Sequence, residues 1–212
     1  MISPSGSKAL KEYWTIQHAN HDRRLLTGTT GQNTWDNLRI ASKIKVGTTV
    51  LEIGVGLGHS IREMISKGLN VSVVDIVPEA FECIKDLQIK TYLADQLDTL
   101  PEAYFDLAIS HMVCCHQPDD ILKEQIKYVI NSLKPEGIFA ILVAGLTGSP
   151  IPICYLTAKD LDLSKVGAKT RTSNEMIKLA EEVGGKVVYI DETLPQFSSW
   201  IYSYTIHITK KS

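Results

Sequence analysis

One short segment of this 212-residue chain, Val50 to Ser60, places the strongest constraint on its fold. An apolar stretch ends in an acid, Glu52, and glycines then follow at every second position, Gly54, Gly56 and Gly58. Glycine readily takes positive φ angles and lets another group approach the backbone closely. The segment therefore predicts a buried strand that runs into a tight turn.

A second apolar run, Asn70 to Asp75, also ends in an acid. If the two runs are neighbouring parallel strands, Asp75 lies beside the glycine turn that begins at Gly54. In that position its carboxylate can accept hydrogen bonds from both hydroxyls of a ribose. The two segments together predict a nucleoside-binding site.

The glycine spacing bears on which nucleoside is bound. A dinucleotide-binding turn has glycines at its first, third and sixth positions, and the sixth position counted from Gly54 is His59. The observed spacing, Glu52-x-Gly54-x-Gly56-x-Gly58, resembles that of the class I S-adenosylmethionine-dependent methyltransferases. The resemblance runs from about Gly47 to the end of the chain, and Asp75 and the pair Ala94–Asp95 are part of it.

The apolar pattern beyond the glycines alternates between strand and helix, which predicts an α/β fold. We expect a Rossmann-like, seven-stranded, mainly parallel sheet with helices on both faces. The last two strands follow each other without a helix, so they should form a C-terminal antiparallel hairpin, as the resemblance also implies. A less regular stretch, 146–169, is predicted to loop over the carboxyl edge of the sheet. The strands are expected from about Thr48 and over 71–74, 89–93, 105–110, 138–144, 186–190 and 200–208.

A single domain is predicted, with a helical segment, 1–46, preceding an S-adenosylmethionine-binding core, 47–212. In the resembling family such N-terminal helices form a lid over the substrate. Tyr13, Trp14 and His18 are the lid residues expected to meet the cofactor or the acceptor.

The resemblance implies a role for each residue at the carboxyl ends of the strands. Gly54 and Gly56 would approach the methionine part of S-adenosylmethionine, and Asp75 would hold the ribose. Ile76 would pack on the adenine, and Asp95 would accept a hydrogen bond from its amino group. The expected cofactor-binding residues are Glu52, Gly54, Gly56, Gly58, Asp75, Ile76, Asp95, Gln96 and Ser110.

Two histidines, His111 and His116, follow the fourth predicted strand, next to the expected acceptor position. Either can act as a general base, since histidine titrates near neutral pH, or it can shape the pocket. Cys114 and Cys115 lie between them, but zinc ligands are usually more widely spaced. We therefore predict no metal ion. Because no secretory signal is evident, the cysteines are expected to be reduced in a cytoplasmic protein.

The composition of the chain indicates which classes of partner to expect. The formal net charge is -2 and the basic residues are scattered, so a nucleic acid is not expected. The apolar runs are too short to cross a membrane. The Asn/Asp-Pro-Pro-aromatic segment common in nucleobase and glutamine methyltransferases is missing after the fourth strand. A small-molecule acceptor, methylated by in-line displacement with S-adenosylhomocysteine as product, is the predicted function; a monomer and a homodimer are equally compatible with the sequence.

Three alternatives remain open from the sequence. A non-catalytic S-adenosylmethionine-binding module would have the same residues, because methyl transfer needs no signature catalytic residue. A nicotinamide-dependent reductase is disfavoured by His59 and by the terminal hairpin. Aminopropyl transfer needs acids around an amine acceptor, where this chain has Ser110 and His111.

Overall fold

A computed structural model describes residues 4–19, 31–146, 171–193 and 201–211. Within these ranges seven strands form one sheet in the order β3-β2-β1-β4-β5-β7-β6. The strands are β1 (Thr49–Ile53), β2 (Asn70–Asp75), β3 (Lys90–Leu93), β4 (Phe105–His111), β5 (Leu133–Leu146), β6 (Gly185–Asp191) and β7 (Ile201–Lys210).

The first five strands are parallel, and β7 runs antiparallel to both β5 and β6. This arrangement confirms the predicted Rossmann-like, mainly parallel sheet and its C-terminal antiparallel hairpin. Because the parallel strands end at one edge, the segments that follow β1, β2, β3 and β4 lie close together there.

The α-helices are α1 (Pro4–Ala19), α2 (Gly31–Asn37), α3 (His59–Ser66), α4 (Asp119–Ser132) and α5 (Ser173–Glu182). One face of the sheet is covered by α4 and α5, and the other face by α2 and α3. Apolar side chains three or four positions apart, such as Leu122, Ile126 and Val129 on α4, explain this packing, because that spacing puts them on one side of a helix. A capping box between Thr172 and Glu175 begins α5.

Some local predictions were wrong. The apolar spacing in 33–44 predicts one helix over these residues, but the helix ends at Asn37. Arg39 takes a φ of 56°, which breaks the helical path before a short 3-10 turn, Ala41–Lys43. Further 3-10 turns lie at Pro78–Ile84, Ala94–Thr99 and Cys114–His116. The predicted loop after residue 146 lies outside the described residues from 147 to 170.

Helix α1 lies at the carboxyl edge of the sheet. Its Leu10 and Tyr13 are buried against Ile76, which follows β2, and Ile121 on α4. This position brings α1 over the ends of the strands, where the site residues were predicted. In the described ranges, no helix is both long enough and apolar enough to cross a membrane.

Candidate functional site

The glycine turn after β1 is tied directly to the end of β2. The backbone N–H of Gly54 donates to the carbonyl oxygen of Val74 at 2.8 Å, and that of Val55 donates to Asp75 Oδ2 at 2.9 Å. All three glycines of the motif have positive φ, from 53° at Gly56 to 87° at Gly54. The turn and the acid are therefore neighbours, as the sequence predicted.

Gly54 is required by its surroundings as well as by its backbone angles. A Cβ at this position would lie 2.4 Å from Val113 Cγ2, in the segment that follows β4. The absence of a side chain lets Val113 pack directly against the backbone of the turn.

A cavity of about 80 Å³ lies at this edge of the sheet. It is bordered by the ends of β1 and β2, by the segment after β4 and by α1. Five of the residues singled out from the sequence line it: Trp14, Gly54, Asp75, Ile76 and His116. Their convergence shows that the sequence motifs meet at one place.

Asp75 is the acid at the base of this cavity. Burial raises the pKa of its carboxyl, while the hydrogen bond from Val55 and the charge of His18 act in the opposite direction. His18 is itself buried on α1, so this helix brings a titratable group close to the predicted ribose-binding acid.

Other predicted residues lie outside the cavity lining. Asp95 is exposed and forms an ion pair with Lys11 of α1, and the side chain of Gln96 is also exposed. Ser110 Oγ and His111 Nε2 are buried and make no hydrogen bond within the described ranges. The remaining predicted residues outside the lining are Tyr13, His18, Glu52, Gly56 and Gly58.

Glu52 lies beneath the glycine turn, near the end of β1. Its side chain is buried, and Oε2 has no hydrogen-bond partner in the described structure. Burial raises its pKa from 4.5 to about 8. The nearby Ser60 hydroxyl acts in the opposite direction. The carboxyl is therefore mainly protonated at neutral pH.

The two candidate histidines are neutral at physiological pH. Burial lowers the pKa of His111 and that of His116 to about 4 each. Only His116 lines the cavity, where its ring meets Trp14 edge-on with 5.2 Å between the centroids. His116 can thus accept a hydrogen bond from a ligand, but it is a weaker base than an ordinary histidine.

We expect neither histidine to titrate between pH 8 and pH 5. Long-range nitrogen–proton NMR spectra of the protein should show His111 and His116 as single neutral tautomers across this range, with charging only near pH 4. His59, which is exposed, serves as the internal comparison in the same spectra. A midpoint near the usual value of about 6.5 for His116 would contradict its burial and restore its strength as a base.

The described residues include no cluster of three or more His, Cys, Asp or Glu side chains able to hold a metal ion. Cys83, Cys114 and Cys115 are free thiols, and burial raises the pKa of Cys114 to about 11. Cys154 lies outside the described residues.

Two cavity residues, Gln117 and Gln125, were not predicted. They lie among apolar and charged positions after β4 and on α4, and no motif distinguishes them in the sequence. Met112, also in the cavity wall, has a φ of 61°, a conformation that non-glycine residues rarely adopt. Such backbone strain is common at binding sites.

Comparisons with known proteins match the chain to methyltransferases. Residues 51–141 match the family model described as a methyltransferase domain. No curated protein sequence matches the chain. One solved structure is that of the Burkholderia thailandensis 1,6-didemethyltoxoflavin-N1-methyltransferase with bound 1,6-didemethyltoxoflavin and S-adenosylhomocysteine. It aligns over 100% of this chain and 92% of its own, with a TM-score of 0.72 and 17% sequence identity.

Two further structures have the same fold. Haemonchus contortus phosphoethanolamine N-methyltransferase 2, in complex with S-adenosyl-L-methionine, has a TM-score of 0.64 and 17% identity, covering 84% of this chain and 52% of its own. Mitomycin 7-O-methyltransferase has a TM-score of 0.59 and 19% identity, covering 77% and 49%. The present chain spans about half the length of these two proteins. Residues 51–141 match a methyltransferase domain, and the sheet order is that of the Rossmann-like methyltransferase fold.

Proposed function

We propose that the protein transfers the methyl group of S-adenosylmethionine to a small, uncharged acceptor in the cavity beneath α1. The observation that carries this proposal is that the glycine turn, Asp75 and α1 border one cavity. Among the described residues, no lysine or arginine lines that cavity, and His116 is neutral above about pH 4. An anionic acceptor would find no positively charged side chain among the described lining residues.

The residues of the strand ends fit the cofactor. The positive φ angles of Gly54 and Gly56 shape the turn that would meet the methionine part. Asp75 Oδ2 accepts from Val55 and Oδ1 accepts from the backbone N–H of Val77 at 3.3 Å, so the ribose hydroxyls would use the remaining lone pairs of the carboxylate. Ile76 supplies an apolar face for the adenine. Glu52, Gly56, Gly58 and Ser110 shape the turn and the ends of β1 and β4 around the cofactor.

The N-terminal segment 1–46 acts as a lid. Leu10 and Trp14 of α1 form part of the cavity wall, with Tyr13 and His18 buried on the same helix. Ligand pockets usually enclose about 300–1,000 Å³, well above the 80 Å³ of this cavity. Helix α1 therefore moves outward when the cofactor and acceptor enter.

Catalysis in this site depends on positioning. S-adenosylmethionine supplies an electrophilic methyl group on a positively charged sulfur. Trp14 and His116 form the wall that orients the acceptor, and α1 excludes water. Orientation alone can lower a barrier by about 7–11 kcal/mol in favourable cases. His116 accepts a hydrogen bond from the acceptor and helps to remove a proton only when that proton is already acidic.

Isothermal titration with S-adenosylmethionine, S-adenosylhomocysteine and NADH tests the cofactor part of the proposal. The two sulfur nucleosides should bind and NADH should not. Release of S-adenosylhomocysteine is then followed with matched panels of neutral and anionic acceptors. Turnover confined to neutral acceptors is expected. Turnover of anionic acceptors would contradict the proposed substrate class, and nucleoside binding without any turnover would favour a non-catalytic binding module.

A further inference from the structure

Arg171, the residue just before α5 and its capping box, has a buried side chain that is only 1% exposed. A buried cation is stable only where hydrogen bonds and an opposite charge replace the water that it has lost. The Arg171 guanidinium donates to the backbone carbonyl oxygen of Cys114 at 2.8 Å and to that of Gln117 at 2.6 Å. It also donates to Asp119 Oδ1 at 2.8 Å. All three partners lie between β4 and the first turn of α4.

The two carbonyl oxygens lie on either side of His116 in the chain. The short turn that contains His116 closes with its N–H donating to the carbonyl oxygen of Val113 at 2.9 Å. Arg171 binds the first residue of this turn and the residue that follows it. Because a guanidinium is a rigid planar fork, its donors fix these two carbonyl groups relative to each other. The ring of His116 is thereby held in the cavity wall, edge-on to Trp14.

The chain that leads from β4 into this turn is strained. Met112 has a φ of 61°, and such a conformation persists only when the surrounding structure over-determines it. Beyond the turn, Gln117 Nε2 donates to Gln125 Oε1 at 2.7 Å, while the outer amide atoms of this pair have no hydrogen-bond partner among the described residues. The hydrogen bonds of Arg171 oppose the strain, because they hold the backbone on the far side of Met112.

The backbone of Arg171 is itself fixed. Tyr204 of β7, which is fully buried, donates its hydroxyl hydrogen to the carbonyl oxygen of Arg171 at 2.9 Å. The next residue, Thr172, forms the capping box of α5. The guanidinium therefore extends from a rigid base, and a continuous series of contacts joins β7 to the cavity wall.

Arg171 does not line the cavity, so any effect on a ligand passes through the residues that do. We infer that Arg171 is a positioning residue for methyl transfer, which holds His116 in the wall that orients the acceptor. This inference rests on the proposed function, in which Trp14 and His116 orient the acceptor. The hydrogen bonds of the guanidinium go to residues 114–119, away from the glycine turn and Asp75, so cofactor binding should not depend on them.

Arg171→Lys tests the inference, because lysine keeps the charge but has one nitrogen in place of the planar fork. Without the fork, the pKa of His116 should rise from about 4 toward its ordinary value of 6.5 as the ring becomes less confined. Nuclear Overhauser contacts between the rings of His116 and Trp14 should weaken. The pKa of His111 should stay near 4 as the internal comparison. A residue that only stabilised the fold would not move these signals in a folded variant.

Turnover supplies the second measurement, with the neutral acceptor that reacts fastest in the panel. Arg171→Lys should lower kcat by about 10- to 100-fold, since a misplacement of about 1 Å can cost a factor of about a hundred. Its affinity for S-adenosylhomocysteine in isothermal titration should be unchanged. Arg62→Lys is the matched control, because Arg62 forms a similar fork to Asp86 and to the carbonyl oxygen of Cys83. This control should keep the natural kcat and the natural His116 signals.

Unchanged His116 signals or a natural kcat in folded Arg171→Lys would overturn the inference, as would an equal loss of kcat in Arg62→Lys. If Arg171→Lys does not fold, the natural protein decides. Its Arg171 guanidinium protons should give separate NMR signals that exchange slowly, and one averaged signal would show that the fork is not held. Failure of the proposed function is distinct, because no acceptor would then turn over while the His116 signals would still report on Arg171.

Discussion

Replacing Glu52 with glutamine should change how the protein's stability depends on pH. The folded chain keeps the Glu52 proton up to about pH 8, while the unfolded chain releases it above about pH 4.5. Between these values the folded state binds more protons, so the free energy of unfolding falls as the pH rises. At 1.36 kcal/mol per unit of pKa shift, the natural chain should lose about 3–4 kcal/mol of Glu52-linked stability between pH 5 and pH 8. The glutamine variant should not.

Urea unfolding of both proteins from pH 5 to pH 8.5 gives the difference between their free energies of unfolding at each pH. The lowered pKa values of His111 and His116 have the opposite effect on stability. The stability linked to them rises with pH between their folded pKa of about 4 and the ordinary value of 6.5. Those contributions are present in both proteins and cancel. Glu102→Gln, at an exposed acid, is the matched control and should show no such trend. If the free energies of unfolding of Glu52→Gln and the natural chain differ by the same amount at every pH, Glu52 is ionised in the folded state.

The sequence predicted the parts of the site that depend on local backbone geometry. Gly54, Gly56 and Gly58 needed positive φ, and a glycine turn after an apolar strand indicates this without knowledge of the rest of the fold. The position of Asp75 followed from the parallel pairing of adjacent strands. The antiparallel hairpin followed from two strands without a helix between them.

Contacts between distant segments could not be predicted in the same way. Lys11 and Asp95 are paired because α1 lies across the carboxyl edge. The resemblance implied a helix over the substrate, but nothing in either segment indicates this ion pair. The hydrogen bond between Gln117 and Gln125 joins a loop to the buried side of a helix. Glutamine is common on exposed helix surfaces, so neither residue is distinguished until burial leaves its outer atoms unpaired.

The same limit applies to the acid–base properties of the candidate residues. Glutamate and histidine in a motif predict groups that are ionised or titrate near neutrality. Burial beneath the turn makes Glu52 mainly neutral at pH 7, and burial beside α1 keeps His116 neutral. Both shifts arise because removing a group from water disfavours its charged form. They depend on packing that the sequence pattern does not contain.

Asp75 is the residue whose replacement should most reduce cofactor affinity. Asp75→Ala removes the carboxylate proposed to hold the ribose, and a lost charge-assisted hydrogen bond costs about 1.5–3 kcal/mol. Isothermal titration should therefore show S-adenosylhomocysteine binding about 10- to 150-fold more weakly, since each 1.4 kcal/mol is a factor of ten. Asp98→Ala, at an exposed acid after β3, is the control and should bind like the natural chain.

A second substitution separates the two roles of Asp75, because its Oδ2 also accepts the backbone hydrogen bond from Val55. Asp75→Ala leaves that buried N–H without a partner, whereas the amide oxygen of Asp75→Asn can still accept it. If the carboxylate holds the ribose, both variants should lose affinity, and Asp75→Ala, which removes the acceptors of both Val55 and Val77, should lose more stability in thermal unfolding than Asp75→Asn. Loss of affinity in Asp75→Ala alone would mean that Asp75 acts by supporting the glycine turn. Natural affinity in both variants would remove Asp75 from the cofactor site.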